Sequence, residues 1–255
     1  MPSRHSTHDR FGRIGLIGDI HAEHQLLERA VDFLAARRVE AIFATGDITD
    51  GPGSVDRCCE LMEARNVLAV RGNHDRWLLT GAARDLPDAT PMDAVSARSR
   101  SYLQALPITR EFETAEGRAL VCHGLGVNDM ARVKPEDSGY AIESNDDLQN
   151  LMRGGRHRWI LNGHSHARMV RHFSGLTIVN AGTLRRGHAP CFLEVDFRAG
   201  HALAYDFSRF GDVIARPSEL PLFDGADDGD LRDTFDRPEA FDRDRGRENR
   251  ISSFD

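Results

Sequence analysis

Cysteine is scarce and lysine is almost missing. The chain has 255 residues and 4 Cys, and none of these forms a C-x-x-C pair or an evenly spaced framework. Cys58 and Cys59 are adjacent, Cys122 sits in an apolar run and Cys191 follows Pro190. This excludes a disulfide-stapled scaffold and points to a reducing compartment. Lys134 is the single lysine, and every other basic residue is Arg. There is no basic excess: 33 Lys+Arg against 40 Asp+Glu leaves a net charge of −7, which disfavours a general nucleic-acid binder. No apolar stretch approaches the roughly 18 residues needed to cross a bilayer, so no membrane partner is expected. The first twelve residues are polar and charged, unlike a secretory leader, which makes the cytoplasm the expected location.

The remaining composition is ordinary, with 40% hydrophobic and 29% charged residues, and excludes a collagen-like, fully disordered or membrane-embedded chain. The length fits one or two domains with a core that needs no staple. Short apolar runs end in Gly plus a polar residue: Ile14–Ile17 at Gly18-Asp19, Ala41–Thr45 at Gly46-Asp47, and Val67–Val70 before Gly72-Asn73-His74-Asp75. Helical spacing over 23–38 (Leu27, Ala30, Val31, Leu34) and over 54–64, with Ser54 as N-cap, places helices between these strands. A further helix is predicted over 93–106. Strands follow over 108–113, 119–122, 159–161, 169–173, 176–179, 191–195 and 202–207. Alternating strand and helix, then a strand-rich half, predicts an α/β fold with two sheets packed together and helices outside. Residues 124–157 form a polar insertion that could serve as a lid. Residues 1–12 are expected to be a flexible segment, 13–221 the folded domain, and 222–255, rich in Asp and Arg, a mostly disordered tail.

There are 12 His in the chain, and five of them follow the short apolar runs. Asp19-x-His21, Asp47, Asn73-His74-Asp75, His123-Gly124 and Gly163-His164-Ser165-His166 all fall at strand-to-loop junctions. In α/β sheets such carboxyl ends line the site. Taken singly, each match is weak; taken in order on one kind of junction, they indicate metal ligation. Imidazole, carboxylate and amide oxygen are mixed, so the donors suit Mn, Fe, Ni or Zn. They are too many for one tetrahedral zinc and divide more naturally over two divalent metal ions that share a carboxylate. Two such ions suit in-line displacement at phosphorus by a metal-activated water.

In this order G-D-x-H, G-D, G-N-H-D, H-G and G-H-x-H resemble the calcineurin-like metallophosphoesterases, over about three quarters of the chain. The resemblance implies a four-layer α/β/β/α sandwich with two mixed sheets. It implies that Asp19, His21 and His166 hold one metal, that Asp47 bridges both, and that Asn73, His123 and His164 complete the second. His74 would protonate the leaving oxygen, with Asp75 fixing and charging its ring. The implied activity is a dinuclear metal-dependent phosphoesterase in which a metal-bound hydroxide attacks a phosphomonoester or phosphodiester of a small molecule or nucleotide. A serine/threonine protein phosphatase-like activity is the alternative, and a noncatalytic scaffold a more distant one. The protein phosphatase branch carries an Arg directly after the second Asp of motif two, where Gly51 stands here. Arg76 and Arg185 are therefore the nearest candidates to bind substrate phosphate. Asn180-Ala181-Gly182-Thr183 resembles the N-P-G-S turn of small bacterial phosphodiesterases, with Ala and Thr as departures.

Overall fold

A computed structural model describes residues 9–223. Its strands form two mixed sheets. The first is six-stranded, with the order β11-β10-β9-β1-β2-β3. It comprises β1 (Arg13–Ile17), β2 (Ala41–Ala44), β3 (Leu68–Ala69), β9 (Cys191–Asp196), β10 (His201–Asp206) and β11 (Ser218–Pro221). The second is five-stranded, with the order β4-β5-β6-β8-β7, from β4 (Thr109–Glu113), β5 (Arg118–Cys122), β6 (Trp159–Asn162), β7 (Met169–Phe173) and β8 (Leu176–Asn180). β1, β2 and β3 run parallel, and so do β5, β6 and β8; the remaining pairings, β1–β9, β9–β10, β10–β11, β4–β5 and β7–β8, are antiparallel.

Period-two alternation sorts the strand residues into layers. Ile14, Leu16 and Phe43 of the first sheet meet Ala119, Val121, Trp159, Leu161 and Val179 of the second in one apolar layer. Ile17, Ile42 and Ala44 face the opposite way, onto helices α1 (His24–Ala36), α2 (Val55–Ala64) and α4 (Ala97–Ala105). On the far side of the second sheet, Leu120, Cys122, Ile160 and Ile178 pack under Leu125, Val133 and Leu148. The insertion over 124–157, which contains α5 (Tyr140–Glu143) and α6 (Asp146–Gly154), thus builds the outer layer over that sheet. Each buried Leu, Ile or Phe here contributes about 1.5–3 kcal/mol, which is what holds four layers together without a disulfide.

Sequence periodicity locates most elements within a residue or two, and Ser54 does cap α2, accepting the Arg57 N–H at 3.3 Å. The differences have local causes. The helix expected over 93–106 is a 3-10 turn (Met92–Ala94) followed by α4, because Ser96 takes an extended conformation and caps the new helix through the Ser99 N–H. α3 (Asn73–Thr80) was not foreseen. It starts where Asp75 folds back to accept the Gly72 N–H at 2.9 Å, half of a capping box, and stops at left-handed Gly81. β11 was missed because it is an exposed edge strand ending in Pro221, with no apolar alternation to reveal it.

The folded part extends past the expected limits of 13–221 at both ends. Phe11, assigned to a flexible stretch, sits edge-on to Phe43 and Phe112 at ring distances of 5.8 and 5.4 Å. Leu222, assigned to the tail, is fully buried between the sheets, and Phe223 packs on Trp159. The rest of both segments, residues 1–8 and 224–255, lies outside the described residues. Among the described residues no helix is long and apolar enough to cross a membrane.

Candidate metal centre

The carboxyl ends of β1, β2, β3, β5 and β6 converge. Asp19 and His21 follow β1, Asp47 follows β2, and Asn73 and His74 open α3 after β3. His123 follows β5, and His164 and His166 follow β6. His21, Asp47, His164 and His166 all have positive φ (47°, 47°, 64° and 56°), a conformation costly for non-glycine residues and typical of functional sites. Gly72 is required beside them: a Cβ there would stand 2.2 Å from Asp47 Oδ1.

The donor atoms form two groups that share Asp47. One is His21, Asp47 and His166; the other is Asp47, His123 and His164, with ligand atoms within 4.8 Å of one another in each. His21 donates its Nδ1–H to the Asp50 carbonyl at 2.8 Å, and His123 donates its own to the Thr45 carbonyl at 2.8 Å. A carbonyl can only accept, so in each neutral ring Nε2 carries the lone pair. His123 Nε2 lies 2.8 Å from Asn73 Oδ1 and 3.3 Å from Asp47 Oδ2. His21 Nε2 lies 3.0 Å from His166 Nε2, which is 3.5 Å from Asp19 Oδ2. Facing acceptors repel unless a proton or a cation lies among them. Asp19 Oδ2 is fully buried and finds no hydrogen-bond partner among the described residues. An orphaned carboxylate oxygen and converging lone pairs are what a cation site requires, so this donor set fits divalent metal ions.

The electrostatics agree. Burial pushes the Asp19 carboxyl up, and His123 offsets this only in part. Burial also works against Asp47, but His123, His74 and His21 outweigh it and hold Asp47 below the ordinary carboxylate range. Burial works against charge on His123 too, yet Asp47 and Asp19 overcome it and raise the ring to about 10. The pocket floor therefore demands positive charge. Burial together with the neighbouring rings lowers His164 to about 4 and His166 to about 3, which keeps both in the neutral form that ligates.

His74 borders this centre without joining either group. Its Nε2 is 4.0 Å from Asp47 Oδ2, and its backbone N–H donates to Asp47 Oδ1 at 2.9 Å. The expected partner, Asp75, does not touch the ring. Its Oδ1 accepts the N–H groups of Ile48 and Thr49 at 2.8 and 3.0 Å, and its Oδ2 accepts that of Gly72. The ring's Nδ1 meets Asp50 Oδ2 at 2.8 Å instead. Burial lowers His74, but Asp50 and Asp47 more than compensate and raise it, and Asp75 adds to this through its charge without fixing the ring. Asp50, the second Asp of Asp47-Ile48-Thr49-Asp50, was thus missed as a functional residue. Its one signal in the sequence is the three-residue spacing from Asp47. Arg76 is near the site but forks onto Asp129 at 2.6 and 2.8 Å, and Arg185 is ion-paired with Asp88. His188, also unforeseen, places Nδ1 3.0 Å from Nδ1 of His166. The Asn180–Thr183 turn supports the floor: Asn180 Nδ2 donates to the Gly163 carbonyl at 2.6 Å, and Thr183 Oγ1 donates to the Asp19 carbonyl at 2.8 Å.

Two packed mixed sheets with a histidine–aspartate cluster at their carboxyl ends define a metallophosphoesterase-type fold. Residues 13–199 match the family model described as the calcineurin-like phosphoesterase superfamily domain. A metallophosphoesterase of Sphaerobacter thermophilus has a similar structure at 20% identity and TM-score 0.59, covering 78% of this chain and 88% of its own. A hypothetical protein of Pyrococcus horikoshii reaches TM-score 0.62 at 16% identity, over 76% and 87% of the two chains. An uncharacterized protein of Methanocaldococcus jannaschii is 35% identical over 115 residues, or 42% of this chain; the match spans only about half, 47%, of that relative's length. The chain belongs to the calcineurin-like phosphoesterase superfamily.

Proposed function

We propose that the protein is a dinuclear metal-dependent phosphoesterase acting on a phosphomonoester or phosphodiester of a small molecule or nucleotide. The single observation that carries this reading is Asp47: one buried carboxylate stands in both donor groups, as a bridge between two cations must. Asp19, His21 and His166 would hold one ion, and Asn73, His123 and His164 the other, with Asp47 common to both. Mn, Fe, Ni and Zn all suit these donors. Bound there, the ions supply Lewis acidity, which acidifies a water and neutralises phosphoryl charge.

The remaining steps belong to the protein. Thr45 and Asp50 aim two ligand rings through their carbonyls. His74, beside the shared carboxylate, donates a proton from Nε2 to the leaving oxygen while Asp50 holds Nδ1. A phosphate ester leaves poorly as an alkoxide, so this proton matters most for weakly acidic alcohols. The arginine clamp of the protein-phosphatase alternative has no counterpart at position 51, where a Cβ would meet the His21 carbonyl at 1.8 Å, and this favours the small-molecule reading. Cytoplasmic location and the absence of a nucleic-acid partner are part of the same proposal and rest on composition.

The test is turnover of p-nitrophenyl phosphate and bis(p-nitrophenyl) phosphate by purified protein supplied with Mn²⁺ or Ni²⁺. Activity that depends on the added metal and disappears in His164→Ala supports the proposal. Inactivity toward both esters with two equivalents of metal bound refutes it.

A further inference from the structure

Asp50 has more partners than its task with His74 requires. It is 2% exposed and left-handed, with φ 64°. Its carbonyl aims His21 and its Oδ2 aims His74, both at 2.8 Å. The same carboxylate is gripped from the opposite side by the segment between α3 and α4. Arg84 Nη1 donates to Oδ1 at 2.8 Å and Nη2 to Oδ2 at 2.8 Å. The Thr90 N–H donates to Oδ1 at 2.8 Å, and Thr90 Oγ1 accepts the Asp50 N–H at 3.0 Å. Arg84 is itself fixed, through Nε on the Ala82 carbonyl at 2.7 Å and Nη1 on the Thr90 carbonyl at 3.2 Å. Four of its five N–H donors are thereby committed, which leaves no fork for a substrate phosphate.

Two other features give this grip a purpose. A buried carboxylate that is to orient an imidazole needs a countercharge and a fixed plane, and a bidentate guanidinium supplies both. The neighbouring position cannot supply one, because at Gly51 a side chain would collide with the His21 carbonyl. The cation arrives from a residue 34 positions later instead.

We propose that Arg84, seconded by Thr90, is a positioning residue for phosphoester hydrolysis: its bidentate hold on Asp50 sets the plane of the carboxylate that aims His74 at the leaving oxygen. This rests on the assignment of His74 as the proton donor.

The test compares the full-length protein with His74→Asn, Arg84→Ala and Arg84→Lys, loaded with Mn²⁺, on p-nitrophenyl phosphate and phenyl phosphate. These substrates share a shape and differ in leaving-group acidity. His74→Asn is expected to lower kcat on phenyl phosphate by about 10²-fold and on p-nitrophenyl phosphate far less. Arg84→Ala is expected to show the same discrimination at about tenfold, with KM and bound metal unchanged. Arg84→Lys, which keeps the charge but cannot fork, should fall between wild type and Arg84→Ala. In metal-free protein, the downfield proton resonance of His74 Nδ1–H should disappear in Arg84→Ala. Equal losses on both substrates, a rise in KM alone, or an intact resonance would overturn the proposal even where His74→Asn behaves as expected. Should Arg84→Ala fail to retain metal, Arg84→Lys decides by the same criteria. No discrimination in His74→Asn would remove the proton-donor assignment and this proposal together, a failure recognisably different from that of Arg84 alone.

Discussion

Asp47 and Asp75 show how differently two buried carboxylates in one site can be employed. Asp47 turns an oxygen toward His123 and stands between the two donor groups, so Asp47→Asn keeps the shape and removes the shared charge. The expected outcome is loss of bound metal from both positions, read by metal analysis of the purified variant. Asp75 accepts three backbone N–H groups. Asp75→Ala strands those donors and should cost about 3 kcal/mol of stability, measurable by denaturant unfolding. Both residues are legible in sequence, Asp47 in the Gly46-Asp47 pair that ends an apolar run and Asp75 beside His74. Their jobs are not, because the opening of α3 turns Asp75 away from His74, while Asp50 reaches the ring across 24 residues of chain.

The joint between α2 and α4 offers a prediction of another kind. Asp56, in the first turn of α2, accepts the N–H and hydroxyl of Ser96, the N-cap of α4, at 3.1 and 2.9 Å. Hydrogen bonds from Ser99 and Ser96 lower its pKa. A depressed folded-state pKa stabilises the fold above the unfolded value, about 3.9, and that contribution fades as pH falls through the folded value. Thermal melts of wild type should therefore lose stability below about pH 4 more steeply than those of Asp56→Asn. Parallel melts of the two proteins from neutral pH downward check this. Ser54→Ala removes the cap of α2 and should cost about 1 kcal/mol at any pH, read from the denaturation midpoint. The Ser54 cap follows from sequence rules alone, as does the apolar face of α1. The break at Ser96 does not, because Ser is also tolerated within a helix; here its hydroxyl finds both Ser99 and Asp56, a pairing across 40 positions.

The candidate ligands come from both sheets: Asp19, His21, Asp47 and Asn73 from the first, His123, His164 and His166 from the second. Metal ions bound among them would tie the two sheets across their shared core. A metal at 100-fold above its Kd is expected to add about 2.7 kcal/mol to stability, so Tm should rise with Mn²⁺ and fall with a chelator. Calorimetry at two metal concentrations checks this, and an unchanged Tm would argue against ligands drawn from both sheets.

What the residues fixed without help was local. Short apolar runs can only be strands when Gly and polar residues end them after four or five positions, and residues of one helical face recur at a set interval. Motif order also pointed to the seven donors, since donors at the carboxyl ends of neighbouring strands have one place to meet. Folding alone chose who serves whom. Asp50 rather than Asp75 took His74, Arg84 arrived where Gly51 leaves no room, and Phe11 and Leu222 entered the core. Each of these depends on through-space distances between residues far apart in the chain, and hydrogen bonds and packing respond to distance, not to order.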